Sequence, residues 1–323
     1  MVIKTICALA LYLLPFIACL VFKPDNLILL FALWIAMGAG MAFMGTSVMH
    51  DSIHGSYTKK KNLKKVLAKC TWILGIDATI WKTQHNVLHH SFTNIEGADE
   101  DIQPRYVLRF SPHQPRRWFH RYQHIYALFF YTISTLIWVT FKDFNKARQY
   151  RKMGILPVKS YSKFILGMVF RKIFYFSIFL ILPIYLLPVS AGTVVLLFVV
   201  MHMTAGFLLS LIFQPAHVME VSDFIDQQKE EPSIDENRLV HQLRTTTNFG
   251  MKNRWLTWFS GGLNHQIEHH LYQNICHVHY GEISKIVRHT AAEHDLPYHT
   301  QPGLGRAFYL HLSMLKALGS GKI

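Results

Sequence analysis

Long apolar runs alternate with polar blocks along the chain. Residues 5–22 and 27–49 form two apolar runs that only four residues separate, and a third run covers residues 174–213. Prolines and a patch of small residues interrupt the third run. A helix needs roughly 20 apolar residues to cross a bilayer. The first two runs are therefore each long enough to cross once, and the third is long enough to cross twice.

These runs predict an all-α membrane protein with four transmembrane helices in two hairpins, at about residues 5–49 and 168–213. Each hairpin returns the chain to the side that it left, so the polar blocks at about residues 50–163 and 214–323 lie on one side as a helical cap. The shorter aromatic-rich run at 125–141 is interpreted as a peripheral or re-entrant helix, because a full crossing would separate the two blocks. The whole chain is thus expected to form a single domain.

Composition and charge place the polar blocks on the cytoplasmic side. Hydrophobic residues make up 51% of the chain and charged residues 16%, whereas about a quarter of a soluble domain is charged. The net charge is +14, and basic residues are concentrated at 59–65, 116–121 and 142–152, as is typical of cytoplasmic loops. Interspersed carboxylates and the lack of a nucleic-acid-binding motif argue against a nucleic-acid partner. We expect a multi-pass protein of the bacterial inner membrane or the endoplasmic reticulum.

Histidines are clustered in three short motifs, here called boxes 1, 2 and 3. Box 1 is HDSIH at residues 50–54, box 2 is HNVLHH at residues 85–90, and box 3 is HQIEHH at residues 265–270. The chain has 20 histidines in 323 residues. At this frequency about one His pair at i,i+4 is expected by chance, whereas the doubled form HxxxHH is expected roughly 0.08 times. Two doubled boxes therefore indicate a function for these histidines.

The spacing within the boxes favours binding of two metal ions. Residues four apart lie on one face of a helix, with Cβ atoms about 5–6 Å apart, so that two such imidazoles can share a metal. The doubled histidine adds a nitrogen on a neighbouring face that can reach a second metal. The boxes contain eight histidines, whereas a catalytic zinc takes three protein ligands. Imidazole is compatible with iron, copper, nickel and zinc, so the spacing does not select the metal.

These motifs resemble those of the integral-membrane fatty acid desaturases, and more narrowly of the front-end acyl desaturases of the delta-5/delta-6, linoleoyl-CoA type. The resemblance covers about residues 45–300. It implies four transmembrane helices and a cytoplasmic cap that carries a di-iron centre. It rests on HDSIHGS at 50–56, WKTQHNVLHHSFTN at 81–94, DED at 99–101, FQPAH at 213–217, QLRTTTNF at 242–249 and WFSGGLNHQIEHHLY at 258–272.

The resemblance implies two Fe2+ ions and a set of protein ligands. The third box of the front-end branch reads QxxHH, which gives Gln266 the position of a ligand. Its neighbour His265 is the alternative, because it would complete an HxxxHH like that of box 2 and imidazole is the stronger ligand. His241 is interpreted as a hydrogen-bonding histidine and not as a ligand. The implied ligands are His50, His54, His85, His89, His90, His217, Gln266, His269 and His270.

Residues around these ligands are expected to orient the imidazoles and to hold the acyl chain. Trp81, Trp255 and Trp258 are candidates to line an apolar substrate channel, with an interfacial position as the alternative for any one of them. Carboxylates and amides near the boxes fit the role of hydrogen-bond partners that fix imidazole orientation. The candidates for that role are Asp51, Asn94, Asp99, Asp101, Asn248 and Glu268.

The implied reaction is the introduction of a cis double bond into a fatty acyl chain, with O2 reduced to water. An unactivated methylene C–H bond is too strong for acid–base chemistry, so the metal supplies this step and no side chain is expected to act as a nucleophile. No HPGG motif of a fused cytochrome b5 domain occurs. Electrons are therefore expected from an external donor, cytochrome b5 or ferredoxin with its reductase. The resemblance leaves open which carbons react and whether the substrate is an acyl-CoA or an acyl-lipid.

Two other functions share part of this pattern. The same boxes serve hydroxylases and sphingolipid desaturases, although the QxxHH form of box 3 favours front-end acyl chemistry. A metal transporter would need ionisable groups near the middle of the membrane. Residues 5–22 and 27–49 contain no charged residue and no histidine, and His202 is the lone histidine of the third run. The distribution therefore disfavours a transporter.

Overall fold

The computed structural model describes residues 1–103, 107–226 and 238–323, except for the side chain of Lys65. Helices dominate this part of the chain. This agrees with the predicted all-α class. In the described residues, five helices are long and apolar enough to cross a membrane, by length and composition alone. They are Val2–Phe22, Leu27–His54, Trp118–Lys152, Tyr161–Leu186 and Ala191–His217.

Four of these five helices correspond to the four predicted spans. In the second hairpin, Tyr161–Leu186 begins earlier than predicted and Ala191–His217 ends later. The fifth helix, Trp118–Lys152, contains the run 125–141 that the sequence analysis interpreted as peripheral or re-entrant. The most apolar 18-residue stretch of this helix has a mean hydropathy of 1.4, against 2.0–2.5 for the corresponding stretches of the other four helices. The structure thus adds a candidate span, and the count of four stays a prediction.

Shorter elements occupy the two polar blocks, which include residues 104–106 and 227–237 that lie outside the described part. Two short strands, Asn248–Phe249 and Thr300–Gln301, pair in parallel. The shorter helices are Lys61–Ala68, Cys70–Ile73, Ala78–Lys82, Thr83–His89, Glu100–Ile102, Arg238–Thr245, Arg254–Phe259, Gln266–Leu271, His277–His279, Tyr280–Glu293 and Leu304–Ser320.

The chain divides into two compact units. The single domain expected from the sequence stays a prediction. The first unit comprises residues 1–83 and 130–209, and the second comprises residues 84–129 and 210–323. Box 1 belongs to the first unit. Boxes 2 and 3 and His217 belong to the second unit.

In the first unit, a buried stripe joins the first two long helices. Tyr12 and Phe16 lie on one face of Val2–Phe22 and are buried, and the Tyr12 hydroxyl donates to the carbonyl oxygen of Ile73 at 2.7 Å. The helices approach closely at Gly40, where a Cβ atom would lie 2.5 Å from the backbone nitrogen of Tyr12. Small residues allow such close backbone contact between membrane helices. Gly40 therefore sets the spacing of this hairpin.

We expect Gly40→Ala to destabilise the protein, because the added methyl group overlaps the backbone of the facing helix. Overpacking of this kind costs about 1–3 kcal/mol. Gly45→Ala is the matched control: its Cβ would meet only the Leu209 side chain, at 3.7 Å. Since alanine favours a helix by about 1 kcal/mol over glycine, this control should be neutral or stabilising. Thermal unfolding in detergent compares the two, and equal melting temperatures would contradict the close-approach argument.

A buried group of charges fixes the start of the helix that leads to box 2. Asp77 caps Ala78–Lys82, and its carboxylate accepts from the backbone nitrogens of Thr79 and Ile80. Its second oxygen forms an ion pair with Arg171. The backbone nitrogen of Asp77 donates to Asp143, which pairs with Lys172 at 2.7 Å. Buried charges are tolerated where they are paired and hydrogen-bonded in this way.

In the second unit, the C-terminal helix Leu304–Ser320 packs against the segment around His120. A Cβ atom at Gly319 would lie 2.0 Å from the carbonyl oxygen of His120, so this contact requires glycine. Gln123 donates from Nε2 to the carbonyl oxygen of Leu315 at 2.7 Å. His311 donates from Nδ1 to the carbonyl oxygen of Val218 at 2.9 Å, directly after His217. The C-terminal helix thereby supports the chain next to one candidate ligand.

Candidate metal centre

Box 1 lies at the end of the second long helix, in the first unit. His50 and His54 are both buried, and their ring centroids are 4.5 Å apart. Gly55 ends the helix with a φ of 78°, in the left-handed region that glycine adopts without strain. The carboxylate of Asp51 is 3.5 Å from Nδ1 of His50. The edge of the buried Trp81 indole meets both imidazoles, with centroids 5.7 and 5.8 Å away. The first unit thus places the imidazoles of the two box 1 histidines next to each other.

Box 2 lies on a π-helical segment, Thr83–His89. In a π-helix residues five apart, and not four, are connected by hydrogen bonds. The backbone nitrogen of His90 accordingly donates to the carbonyl oxygen of His85 at 3.1 Å, and their Nε2 atoms are only 3.3 Å apart. With α-helical spacing, the sequence predicted that His85 and His89, four residues apart, share one face of the helix. The wider turn instead brings together the first and last histidines of the box.

The second unit brings six candidate histidines into one buried cluster. His217 at the end of Ala191–His217 lies 4.6 Å from His89 and 4.9 Å from His270, between ring centroids. The rings of His90 and His269 are 4.5 Å apart. The side-chain ligand atoms of His89, His217 and His270 all lie within 4.8 Å of one another, and so do those of His90, His269 and His270. This cluster unites box 2, box 3 and the predicted lone ligand.

Gln266 and His265 point to different neighbours. The amide nitrogen of Gln266 lies 3.0 Å from Nε2 of His217, inside the cluster. Nδ1 of His265 lies 3.9 Å from the carboxylate of Glu268, and none of the candidate metal-binding groups among the described residues includes this imidazole. Burial lowers the pKa of His265 to about 4, so this imidazole is neutral at physiological pH. Of the two alternatives, Gln266 is the one that contacts another candidate ligand.

Carboxylates hold the outer nitrogens of box 2. Nδ1 of His89 lies 3.0 and 3.1 Å from the two oxygens of Asp99, which can only accept, so this nitrogen carries the hydrogen. Burial acts to lower the pKa of His89, but the nearby Asp99 and Asp101 outweigh it and the pKa is raised. Asp101 is 3.4 Å from Nδ1 of His85. Such carboxylate–histidine pairs fix the tautomer and leave Nε2 to bind a metal.

Neutral groups hold the outer nitrogens of box 3, and sequence reasoning missed both. Nδ1 of His270 lies 2.7 Å from the side-chain oxygen of Gln242, and Nδ1 of His269 lies 3.3 Å from the hydroxyl of Tyr280. Gln242 begins the motif QLRTTTNF, on which the resemblance partly rests, but that motif did not assign it a role. Tyr280 carried no sequence signal.

Asn94 and Asn248 organise the backbone around the boxes and do not contact the imidazoles. Asn94 has a φ of 57°, and its side-chain amide donates to the carbonyl oxygens of His217, Asp223 and Thr245 at 3.0–3.4 Å. The side-chain oxygen of Asn248 accepts from the backbone nitrogen of Ile267 at 2.9 Å. Both were expected near the site, and both act through main-chain groups.

The buried carboxylate of Glu268 is also part of this supporting structure. It accepts from Tyr298 at 2.7 Å and from Asn248 at 2.9 Å, while burial raises its pKa. His241, interpreted from the sequence as a hydrogen-bonding residue, donates from Nε2 to the carbonyl oxygen of Thr93 at 2.9 Å. These side chains stabilise the segments that carry the ligands.

The two other tryptophans proposed for the channel lie on the short helix Arg254–Phe259. Trp255 is 74% exposed and stacks on Phe259, which is itself 46% exposed. Trp258 is partly exposed on the same helix. Exposed aromatic residues of this kind fit the interfacial alternative better than a channel lining.

Replacement of Asp99 by asparagine is expected to weaken metal binding. The two carboxylate oxygens of Asp99 accept from His89 and also from the backbone nitrogens of Asn94 and Asp101, at 2.9 Å each. An amide must turn its NH2 toward one of these donors. Loss of such a partner costs about 10–100-fold in metal affinity or activity. Metal content after dialysis measures the effect, and Asp101→Asn, at the longer 3.4 Å contact, should lose less metal. The reverse order would contradict this ranking.

The donor set in the second unit fits a metal ion. Nε2 of His89 is buried and has no hydrogen-bond partner within the described residues, although Nδ1 of the same ring is fixed by Asp99. An unsatisfied buried nitrogen costs free energy unless another group binds it. Several imidazoles whose ring nitrogens lie within 4.8 Å of one another in a buried cluster can offset this cost by ligating a cation. The cluster therefore has the chemistry of a metal centre.

Comparison with known proteins agrees with this chemistry. The profile of the family described as fatty acid desaturase matches residues 26–302, which include all three boxes and His217. The chain belongs to the fatty acid desaturase family. This is a membrane-bound family of oxidoreductases, and the five long apolar helices among the described residues are compatible with a membrane protein.

Relatives of the chain carry names that specify lipid substrates or fatty acids. It is 36% identical over 300 residues to an acyl-lipid (8-3)-desaturase of Physcomitrium patens, covering 90% of this chain and 60% of that protein. It is 32% identical over 300 residues to an sn-1 linoleoyl-lipid 6-desaturase of Arthrospira platensis, covering 92% of this chain and 80% of that protein. It is 32% identical over 280 residues to delta(5) fatty acid desaturase A of Dictyostelium discoideum, covering 84% and 60%. The chain thus spans about three fifths of the length of two of these relatives.

Proposed function

We propose that this chain is an O2-dependent di-iron enzyme that introduces a cis double bond into a fatty acyl chain. The observation that carries the proposal is the buried cluster of six histidines, His85, His89, His90, His217, His269 and His270. Carboxylates or neutral polar groups lie against Nδ1 of four of them, His85, His89, His269 and His270. Membership of the desaturase family selects the reaction from those that clustered imidazoles can support.

The proposed ligands are those that the family resemblance implies. His50 and His54 in the first unit, and His85, His89, His90, His217, Gln266, His269 and His270 in the second, are assigned to two Fe2+ ions. Gln266 is preferred to His265 because its amide lies 3.0 Å from His217. For the metal, the amide would turn so that its oxygen, the better ligand, faces the cluster.

The side chains of this chain have orienting roles in the proposed reaction. The bound iron supplies the reaction with O2 that acid–base groups cannot perform on a methylene C–H bond. Asp99 keeps the hydrogen on Nδ1 of His89, so that Nε2 is available as a ligand. Burial of the whole cluster excludes water from the reacting atoms. Positioning of the acyl chain to within about 1 Å then determines which carbons react.

The proposed substrate is an acyl chain of a membrane lipid. Relatives from Physcomitrium patens and Arthrospira platensis are named for acyl-lipid and linoleoyl-lipid substrates, which supports an acyl-lipid over an acyl-CoA. We further propose four transmembrane spans with the metal centre on the cytoplasmic side, since the basic clusters lie in the first polar block. Electrons are proposed to come from cytochrome b5 or from ferredoxin with its reductase.

Expression in a host that makes no polyunsaturated fatty acids tests the proposal. Cells fed linoleate are expected to accumulate a fatty acid with one additional double bond on the carboxyl side of those already present. Gas chromatography with mass spectrometry identifies the product, and separation of phospholipids from acyl-CoA tells which pool changes first. An oxygenated product labelled from 18O2 would indicate a hydroxylase instead, and a changed sphingoid base would indicate a sphingolipid desaturase.

A further inference from the structure

The outer partners of the clustered imidazoles differ in charge between boxes 2 and 3. Asp99 and Asp101 lie against box 2, whereas Gln242 and Tyr280 lie against box 3. An anionic partner makes an imidazole a stronger electron donor to a metal, and a neutral partner does so less. The two ends of the cluster are therefore not equivalent, and the neutral partner with the shortest contact is Gln242.

Gln242 lies in the middle of the helix Arg238–Thr245 and is 1% exposed. Its side-chain oxygen is 2.7 Å from Nδ1 of His270 and 3.0 Å from the hydroxyl of Thr93, which donates to it. Its side-chain nitrogen donates to the carbonyl oxygen of His90 at 3.4 Å. A single side chain thus contacts His270 of box 3 and the main chain of box 2.

These contacts determine the orientation of the amide. The carbonyl oxygen of His90 can only accept, so the side-chain nitrogen of Gln242 must face it, and the side-chain oxygen then faces the Thr93 hydroxyl and Nδ1 of His270. The opposite orientation would place oxygen against the carbonyl of His90 and NH2 against Thr93 and His270. Because the amide oxygen can only accept, Nδ1 of His270 carries the hydrogen. Nε2 of His270 is then the nitrogen with a lone pair for a metal.

We propose that Gln242 is a positioning residue of the metal centre, which fixes the tautomer and ring orientation of His270 and keeps this ligand paired with a neutral group. This inference rests on the proposed metal centre and adds to it a residue that selects the electron-donating strength of one ligand. The carboxylate of Asp99 does the opposite for His89, so that the centre combines a strongly and a weakly donating imidazole.

Two substitutions separate this role from a general contribution to packing. Gln242→Met has a similar volume but offers His270 no oxygen, so the ring is no longer fixed. Gln242→Glu keeps an oxygen for His270 and replaces a neutral partner by an anionic one, at the loss of the weaker contact to His90. Gln123→Met is the matched control, because Gln123 is also buried and hydrogen-bonded through both ends of its amide, but to main-chain groups of Arg109 and Leu315.

The experiment uses the full chain in detergent, freed of metal and titrated with Co2+, whose visible absorption reports the ligands of each ion. We expect Gln242→Met to bind the cobalt at the His270 site about 10–100-fold more weakly than the wild type. Gln242→Glu should retain full cobalt stoichiometry with a shifted absorption band, since its ligand donates more strongly. Gln123→Met should bind cobalt with the affinity and spectrum of the wild type.

Wild-type affinity and spectrum in Gln242→Met would overturn the proposal, and so would an equal loss of cobalt in Gln242→Met and Gln123→Met. An unshifted band in Gln242→Glu would also contradict it, because a purely structural glutamine would not alter the ligand field. These readouts do not require turnover. A wild-type protein that binds cobalt through histidine but forms no double bond would contradict the proposed reaction and leave the assignment of Gln242 intact.

Discussion

Alanine at His89 is expected to abolish desaturation while leaving the protein in the membrane. His89 is fully buried between His217, at 4.6 Å, and His270, at 4.9 Å, measured between ring centroids. Its outer nitrogen is bonded to Asp99, and its Nε2 has no hydrogen-bond partner among the described residues. The substitution removes a central ligand and leaves the Asp99 carboxylate without its histidine.

Product formation and metal content measure the two consequences of His89→Ala. We expect the additional double bond to fall below detection in fed cells and the iron bound per protein to fall. His120→Ala is the matched control. His120 is also buried in the second unit, but Nδ1 of its ring accepts from the backbone nitrogen of Arg117 at 3.0 Å and the residue lies outside the cluster. This control should lose some thermal stability and keep both iron and activity.

Two further substitutions decide between the alternatives Gln266 and His265 at box 3. If Gln266 is the ligand, Gln266→Ala should reduce activity much more than His265→Ala, because only Gln266 contacts His217. Full desaturation by His89→Ala would contradict the assignment of the cluster as the reacting centre. A greater loss in His265→Ala than in Gln266→Ala would transfer the ligand role to the imidazole.

Features that depend on counting along the chain could be predicted from the sequence. Apolar runs longer than the bilayer requires indicated the four helices around residues 5–49 and 168–213, and doubled histidines indicated the boxes. The motif FQPAH indicated His217, which the structure places in the cluster. The sequence alone carries these signals, because the length and composition of a run and the spacing within a short motif do not depend on how distant segments pack.

Features that depend on local backbone geometry were less accessible. The spacing of box 2 is compatible with an α-helix and with a π-helix, so sequence alone favoured the commoner α-helix and paired His85 with His89. The structure has a π-helical turn and brings His85 and His90 within 3.3 Å instead. The bounds of the helix Trp118–Lys152 were also not predicted. Its moderately apolar run continues into a polar helical segment, and the hydropathy pattern does not mark where that segment ends.

Partners from distant parts of the chain could not be predicted at all. Gln242 is 28 residues from His270, and Tyr280 lies on a different helix from box 3. No periodicity connects such positions, since their contact arises only when the helices pack. Asp99 and Asp101 were found because the family motif includes them, and the geometry then explained their position. Outer partners of ligands are thus the part of the site for which the structure adds most.

Removal of iron is expected to abolish activity, and Fe2+ but not Zn2+ is expected to restore it. The imidazole cluster does not itself select iron, because histidine nitrogens bind iron, copper, nickel and zinc. Zinc has no accessible change of oxidation state, whereas the reduction of O2 to water with loss of two acyl hydrogens requires electron transfer. Zinc should therefore occupy the buried cluster and stabilise the fold without supporting the reaction.

The measurement compares melting temperature and product formation for the same preparations, stripped with a chelator and reloaded with either metal. Both metals are expected to raise the melting temperature above that of the stripped protein, because a ligand that binds only the folded state stabilises it. Product should return with Fe2+ alone, when a reductant and an electron carrier are supplied. Desaturation by the zinc-loaded protein would contradict a redox metal at this site. Unchanged activity after chelation, with metal loss verified by elemental analysis, would contradict a metal-dependent reaction, since the same histidines would then have only a structural role.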